Sequence, residues 1–167
     1  MLGNRIRNVP PAQRLNNPTM LIYTFWQLGD EESIKIIRDI ADNKRPIKRL
    51  NLCKNNLTDM VVETIIECLI NNKEVPLEDL DLSGNNFTKE AVGRILTAIE
   101  QRSDSCLLKL HLRGNPGTAG TNAEMLGRVE AVTARNALRM QENRPVNTTG
   151  SLIESSQPSK IVFGLRS

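Results

Sequence analysis

Aromatic side chains are scarce, with one Trp, one Tyr and three Phe in 167 residues. A core built around large rings is excluded, so its bulk has to come from Leu, Ile and Val. Long apolar runs are missing as well: nothing approaches the ~18 uninterrupted apolar residues of a membrane-spanning helix. Histidine occurs once, at His111, and Cys53, Cys68 and Cys106 form no C-x-x-C pair. Zinc-finger spacing and a disulfide scaffold therefore fall away. Phosphate-loop, dinucleotide and H-E-x-x-H zinc patterns are also absent, so no cofactor and no metal is expected. Cys68 lies within Ile65-Ile66-Glu67-Cys68-Leu69 and reads as a buried small hydrophobe.

Acidic residues are missing from the first 29 positions, which carry Arg5, Arg7 and Arg14; the first acid is Asp30. From there on 19 bases balance 19 acids, so the whole formal charge of +3 sits in the N-terminal arm. A chain-wide basic field, the usual footprint of a nucleic-acid binder, is absent. The arm has no Ser and contains Pro10, Pro11 and Pro18, which argues against a transit peptide. No apolar run with a small-residue cleavage site follows it, so an intracellular, cytoplasmic protein is expected. What remains, 39% apolar and 25% charged residues, is the composition of a soluble globular domain with tails.

A repeat organises the rest. Ile47-Lys-Arg-Leu50-Asn-Leu52-Cys-Lys-Asn55 recurs as Leu77-Glu-Asp-Leu80-Asp-Leu82-Ser-Gly-Asn85. It recurs again as Leu107-Leu-Lys-Leu110-His-Leu112-Arg-Gly-Asn115, at a spacing of 30 residues both times. Beyond each asparagine a second pattern repeats. Val62, Ile65, Ile66 and Leu69 return as Val92, Ile95, Leu96 and Ile99, then as Asn122, Met125, Leu126 and Val129. That is the i, i+3, i+4, i+7 spacing of one helix face. A period that holds through a strand half and a helix half marks a stacked repeat architecture.

These segments resemble leucine-rich repeats, and the long unit with a full helix is similar to the ribonuclease-inhibitor-like subtype. The resemblance implies an α/β solenoid: a short right-handed αβ horseshoe segment with parallel strands on the concave face and helices on the convex face. It also implies that Asn55, Asn85 and Asn115 form a ladder whose amides satisfy backbone groups of the turns. Leu57 and Phe87 should plug the corner before each helix. Gly117 holds that place in the last unit and leaves its corner unplugged.

The organisation that follows is an extended basic arm over 1–18, a repeat domain over 19–143 and a flexible tail over 144–167. Within the domain a capping unit spans 19–46, followed by repeats 47–76, 77–106 and 107–143, the last with a longer C-terminal helix. Val132 and Leu138 should continue that helix's apolar stripe. The capping strand, Met20 to Phe25, has Trp26 where the ladder asparagine belongs. Offsets of 29 and 30 turn opposite faces of this strand inward, and both stand open.

Residues flanking the paired leucines point out from the concave face. Arg49, Asn51 and Cys53 lie on one strand, Asp79, Asp81 and Ser83 on the next, and Lys109, His111 and Arg113 on the third. At ~4.8 Å between strands, Asp81 should sit beside Asn51 and His111, all on an exposed strip running basic, acidic, basic. An Asp81–His111 pair lacks the third member and strained elbow of a hydrolytic triad, so no catalytic residue is expected. Lys44-Arg45-Pro46-Ile47-Lys48-Arg49 spans a helix-to-strand turn and reads as structural rather than as an import signal.

The function expected is binding of a partner protein through the concave face of a monomer, with no nucleic acid and no membrane involved. The resemblance carries alternatives. Similar repeats occur in Ran GTPase-activating proteins and in tropomodulins, which suggests a regulator of a GTPase or of a cytoskeletal protein. They also occur in effectors that intracellular bacteria translocate into a host cell to act on a host protein.

Overall fold

Each paired-leucine segment becomes a strand only three residues long. In a computed structural model, which describes residues 19–120 and 122–142, the strands are β1 (Met20–Ile22), β2 (Arg49–Asn51), β3 (Asp79–Asp81) and β4 (Lys109–His111). They form one parallel sheet in the order β1-β2-β3-β4. Leu21, Leu50, Leu80 and Leu110 stand abreast in register, and all four are buried. Short strands suffice because every chain crossing repeats the same inward leucines, and the helix that follows covers them. The arm and tail expected over 1–18 and 144–167 lie outside the described residues.

The helices return the chain along the other face. α1 (Gly29–Asp42) opens with Asp30, Glu31 and Glu32, whose charges favour the positive N-terminal end of the helix. α3 (Lys89–Gln101) is capped by the Thr88 hydroxyl, which accepts from the Ala91 N–H, and turns Ala91, Val92, Ile95, Leu96 and Ile99 inward. The middle crossing is less regular. A 3-10 turn, Asp59–Val61, leads into α2 (Val62–Ile65), and a π-helical stretch, Ile66–Ile70, closes it. The tight first turn and the wide last one together keep Val62, Ile65 and Leu69 in the core. α4 (Asn122–Glu142) is the longest helix.

The cap's open question has an answer. β1 pairs with β2 at an offset of 29, Met20 against Arg49, so Leu21 and Tyr23 face the core. Beyond Ile22 the chain stays bonded to the next unit, the Tyr23 and Phe25 N–H groups donating to the Asn51 and Cys53 carbonyls, and then turns through Phe25 and Gln27, whose φ values are positive, 63° and 54°. Phe25 stands one unit before Lys54, Gly84 and Gly114, which take the same left-handed turn. Glycine fits that turn without strain, whereas Phe25 and Lys54 bring side chains to it. The Lys54 ammonium lies 4.4 Å from the centroid of the exposed Phe25 ring.

Two expectations about the packing are corrected. Leu138 is 63% exposed, because the stripe of α4 advances by three and four residues from Val132 to Asn136 and Arg139, leaving Leu138 on the outer side. Cys68 is only partly covered; burial, and then the neighbouring Glu67 charge, pushes its thiol pKa up.

Candidate functional site

The concave face is built by alternation: one residue of each pair turns to the core and the next turns out. Three outward rows result. The first holds Arg49, Asp79 and Lys109, the second Asn51, Asp81 and His111, each row aligned by the strand register. Cys53, Ser83 and Arg113 follow beyond the strand ends.

The second row is knitted by side chains. Thr24 donates to Asn51 Oδ1 at 3.0 Å, and Asn51 Nδ2 donates to Asp81 Oδ2 at 3.1 Å. The other Asp81 oxygen accepts from the Ser83 N–H at 3.0 Å and the Ser83 hydroxyl at 2.6 Å. Ser83 Oγ also lies 3.2 Å from Cys53 Sγ. Asp81 is opposite His111 in register, yet its oxygens are taken up by its own turn and by Asn51. The imidazole leans instead toward the first row, with His111 Nε2 3.6 Å from Asp79 Oδ1.

Asp79 departs from expectation. It is only 9% exposed, not a free member of the strip. Arg49 Nε approaches its Oδ2 at 3.3 Å, while the buried Oδ1 has no hydrogen-bond partner among the described residues. Arg49 and His111, on the flanking strands, approach the carboxylate from either side. The acidic strand is therefore held within the sheet, and the free charge lies on its neighbour. Lys109, His111 and Arg113 are exposed, and neither Lys109 nor Arg113 forms an ion pair among the described residues.

The asparagines lie behind this face, buried at the turns. Asn85 accepts at Oδ1 from the Asn55 and Leu57 N–H groups, 2.9 and 3.1 Å away, and its Nδ2 donates to the Leu52 and Leu82 carbonyls. Asn55 does the same one unit earlier, accepting from Trp26 and donating to the Tyr23 carbonyl. Asn115 accepts from the Phe87 N–H and donates to the Leu82 and Leu112 carbonyls. Each amide thus serves the turn of the unit before it. A second staple, which sequence reasoning missed, runs beside them: Asp30 receives both the N–H and the hydroxyl of Thr58, and Asp59 receives those of Thr88. Its signal was legible as an acid 28 or 29 residues before a threonine.

The basic run at the first turn is fully answered. Lys44 faces Glu74, Arg45 faces Asp39, Lys48 faces Glu78 and Arg49 faces Asp79, so no unopposed patch is left there.

This stacking of strand, asparagine turn and helix agrees with the sequence comparison, in which a family model for the leucine-rich repeat matches residues 76–99. The match marks one leucine-rich repeat, and the strand, turn and helix stacked on either side of it give the chain a leucine-rich-repeat type of fold. Its fold is similar to that of a solved structure described as "Leiomodin-1 Actin-Binding Site 2 (ABS2)". The TM-score is 0.56 at 18% identity, covering 77% of this chain and 87% of that one. It is also similar to a tropomodulin C-terminal domain from Caenorhabditis elegans, with a TM-score of 0.53 at 19% identity, covering 77% and 89%. No curated protein matches the repeat chain by sequence. No described helix is long and apolar enough to cross a membrane.

Proposed function

We propose that this repeat protein is a binding module, not an enzyme, and that it takes a partner protein on its concave face. One observation carries the reading: the unopposed charge of that face is concentrated on Lys109 and Arg113, which flank the exposed His111, while Asp79 and Asp81 are committed to bonds inside the sheet. A partner surface rich in carboxylates complements such a face. Ser83 does not support hydrolysis, because its hydroxyl donates to Asp81 and the imidazole lies toward Asp79.

The fold neighbours make actin the first partner to try, since one of them is described as an actin-binding site. The test uses the full chain as bait beside two double variants, Lys109→Glu with Arg113→Glu, and Lys35→Glu with Arg94→Glu on the helical side. Purified actin and a cell extract serve as the two sources of partner. Capture is expected to fail with the concave variant and to survive with the helical one. The opposite pattern overturns the reading, and unchanged capture by both variants does so equally.

A further inference from the structure

Among the described residues, β4 has a neighbouring strand on one side only. Besides the ladder of β3 itself, the third unit holds the last through the Leu82 N–H to the His111 carbonyl, the Gly84 N–H to the Arg113 carbonyl, and the Glu78 carbonyl accepting from Leu108 and Lys109. The same groups one unit later are Leu112 N–H, Gly114 N–H and the Leu108 carbonyl, and they have no partner among the described residues. An open edge of this kind is a template for one more strand.

Beside that edge lies a hollow of about 290 Å3 between β4 and α4, with Leu110, Leu112, Met125 and Val129 among its lining. One unit earlier the counterparts of the lining leucines, Leu80 on β3 and Leu82 just beyond it, are fully buried. His111 and Arg113 stand at the rim of the hollow.

Charge decides what fits. β4 already pairs on its closed side with the acidic Asp79-Leu80-Asp81. Its outward cations are Lys109 and Arg113, with His111 between them. A strand that alternates acidic and apolar residues satisfies the edge, the hollow and the cations together. The chain's own Ile161-Val-Phe-Gly-Leu165, flanked by Lys160 and Arg166, has the apolar residues and the wrong charge.

We propose that the free edge of β4 and the adjoining hollow form a docking site for an extended acidic–apolar peptide of a partner, added as a fifth parallel strand. The proposal rests on the reading above only in taking the β4 cations as partner-facing. The peptide's carbonyls accept from the Leu112 and Gly114 N–H groups. Its apolar residues enter between Leu110, Leu112 and Val129, and its carboxylates lie beside Lys109, His111 and Arg113.

The test uses the purified full chain and three labelled synthetic peptides: residues 77–85 of this sequence, the same peptide with Asp79→Lys and Asp81→Lys, and residues 159–167. Fluorescence anisotropy should show the acidic peptide binding at least tenfold tighter than the other two, with affinity falling as salt is raised. Amide NMR shifts on the unmodified chain should fall at Leu112 and Gly114. Val129→Glu should weaken the acidic peptide at least tenfold, as should Lys109→Glu with Arg113→Glu, whose exposed positions do not depend on core packing. Equal binding of the lysine peptide, tighter binding of the 159–167 peptide, or shifts confined to β2 and β3 would overturn the proposal. A partner lost from the concave variant in the capture experiment, with no acidic peptide bound here, leaves the concave reading standing and removes this one.

Discussion

Counting the capping unit as the first, the third and the last repeats are spelled almost alike, Leu77 to Asn85 and Leu107 to Asn115, yet they are closed by different means. The third has a neighbour on each side. Leu80 and Leu82 are sealed, Phe87 fills the corner, and Asn85 serves the turn before it while Asn115 serves its own. In the last, a backbone approach replaces the plug: Gly117 lies against Thr88 and Lys89, and its N–H donates to the Phe87 carbonyl at 2.8 Å. Polar clamps hold the final helix. Arg135 donates to the carbonyls of Ile99, Glu100 and Arg102, Asn136 donates to that of Leu107, and Arg139 to that of Ser105. A solenoid repeat draws its stability largely from its neighbours. The same letters therefore specify a dry core in the middle of the stack and a half-open site at its end.

The largest contrast is expected at the matched leucines. Leu80→Ala, at a fully buried site between two strands, should cost ~2–5 kcal/mol. Leu110→Ala, 9% exposed and beside the hollow, should cost no more than the ~2 kcal/mol floor of that range. Urea denaturation of both variants measures the difference. Equal losses would mean that the last unit is as closed as the third.

Local chemistry made the interior of this contrast readable and left its surface obscure. Paired leucines and turn asparagines announce the strands because their job depends on residues one period away. Asp79 looks in sequence like Asp81, and it is buried only because Arg49 and His111 close over it from neighbouring strands. The π-helical end of the second crossing has no cue, since Ile66, Leu69 and Ile70 suit a regular helix as well. In α4, Asn136 interrupts the apolar pattern. Its place in the core depends on reaching the Leu107 carbonyl, which no periodicity reports. The hollow is a property of what β4 lacks beside it, so it emerges only once the strands are stacked.

Two glycines sharpen the comparison further. A Cβ on Gly117 would stand 2.3 Å from the Thr88 carbonyl carbon and oxygen, which are backbone atoms with little room to yield. Gly117→Ala is therefore expected to lose ~1–3 kcal/mol through overpacking. A Cβ on Gly93, inside α3 of the third repeat, would meet nothing within 4 Å. Gly93→Ala should gain ~0.5–1 kcal/mol by reducing the entropy lost on helix formation. Thermal melts that move in the same direction for both would break the view that the last corner is closed by backbone contact.

The smallest effect belongs to the turn that joins the two repeats. Asp104 bonds Lys73 from the preceding turn at 2.9 Å and Arg102 at 3.1 Å. Those contacts, Lys73 first and then Arg102, pull its pKa from the ordinary 3.8 to about 2. A carboxylate with a depressed folded pKa stabilises the fold above its unfolded value, and the contribution disappears as pH falls through the folded value. The window is thus between about 3.8 and about 2. Asp104→Asn should melt slightly lower than the parent at pH 7, by an amount that salt reduces because the pair is solvent-exposed. The gap should narrow below pH 4 and disappear only as pH falls past about 2. A gap that stays constant across that range would show that the turn is held by packing rather than by its charges.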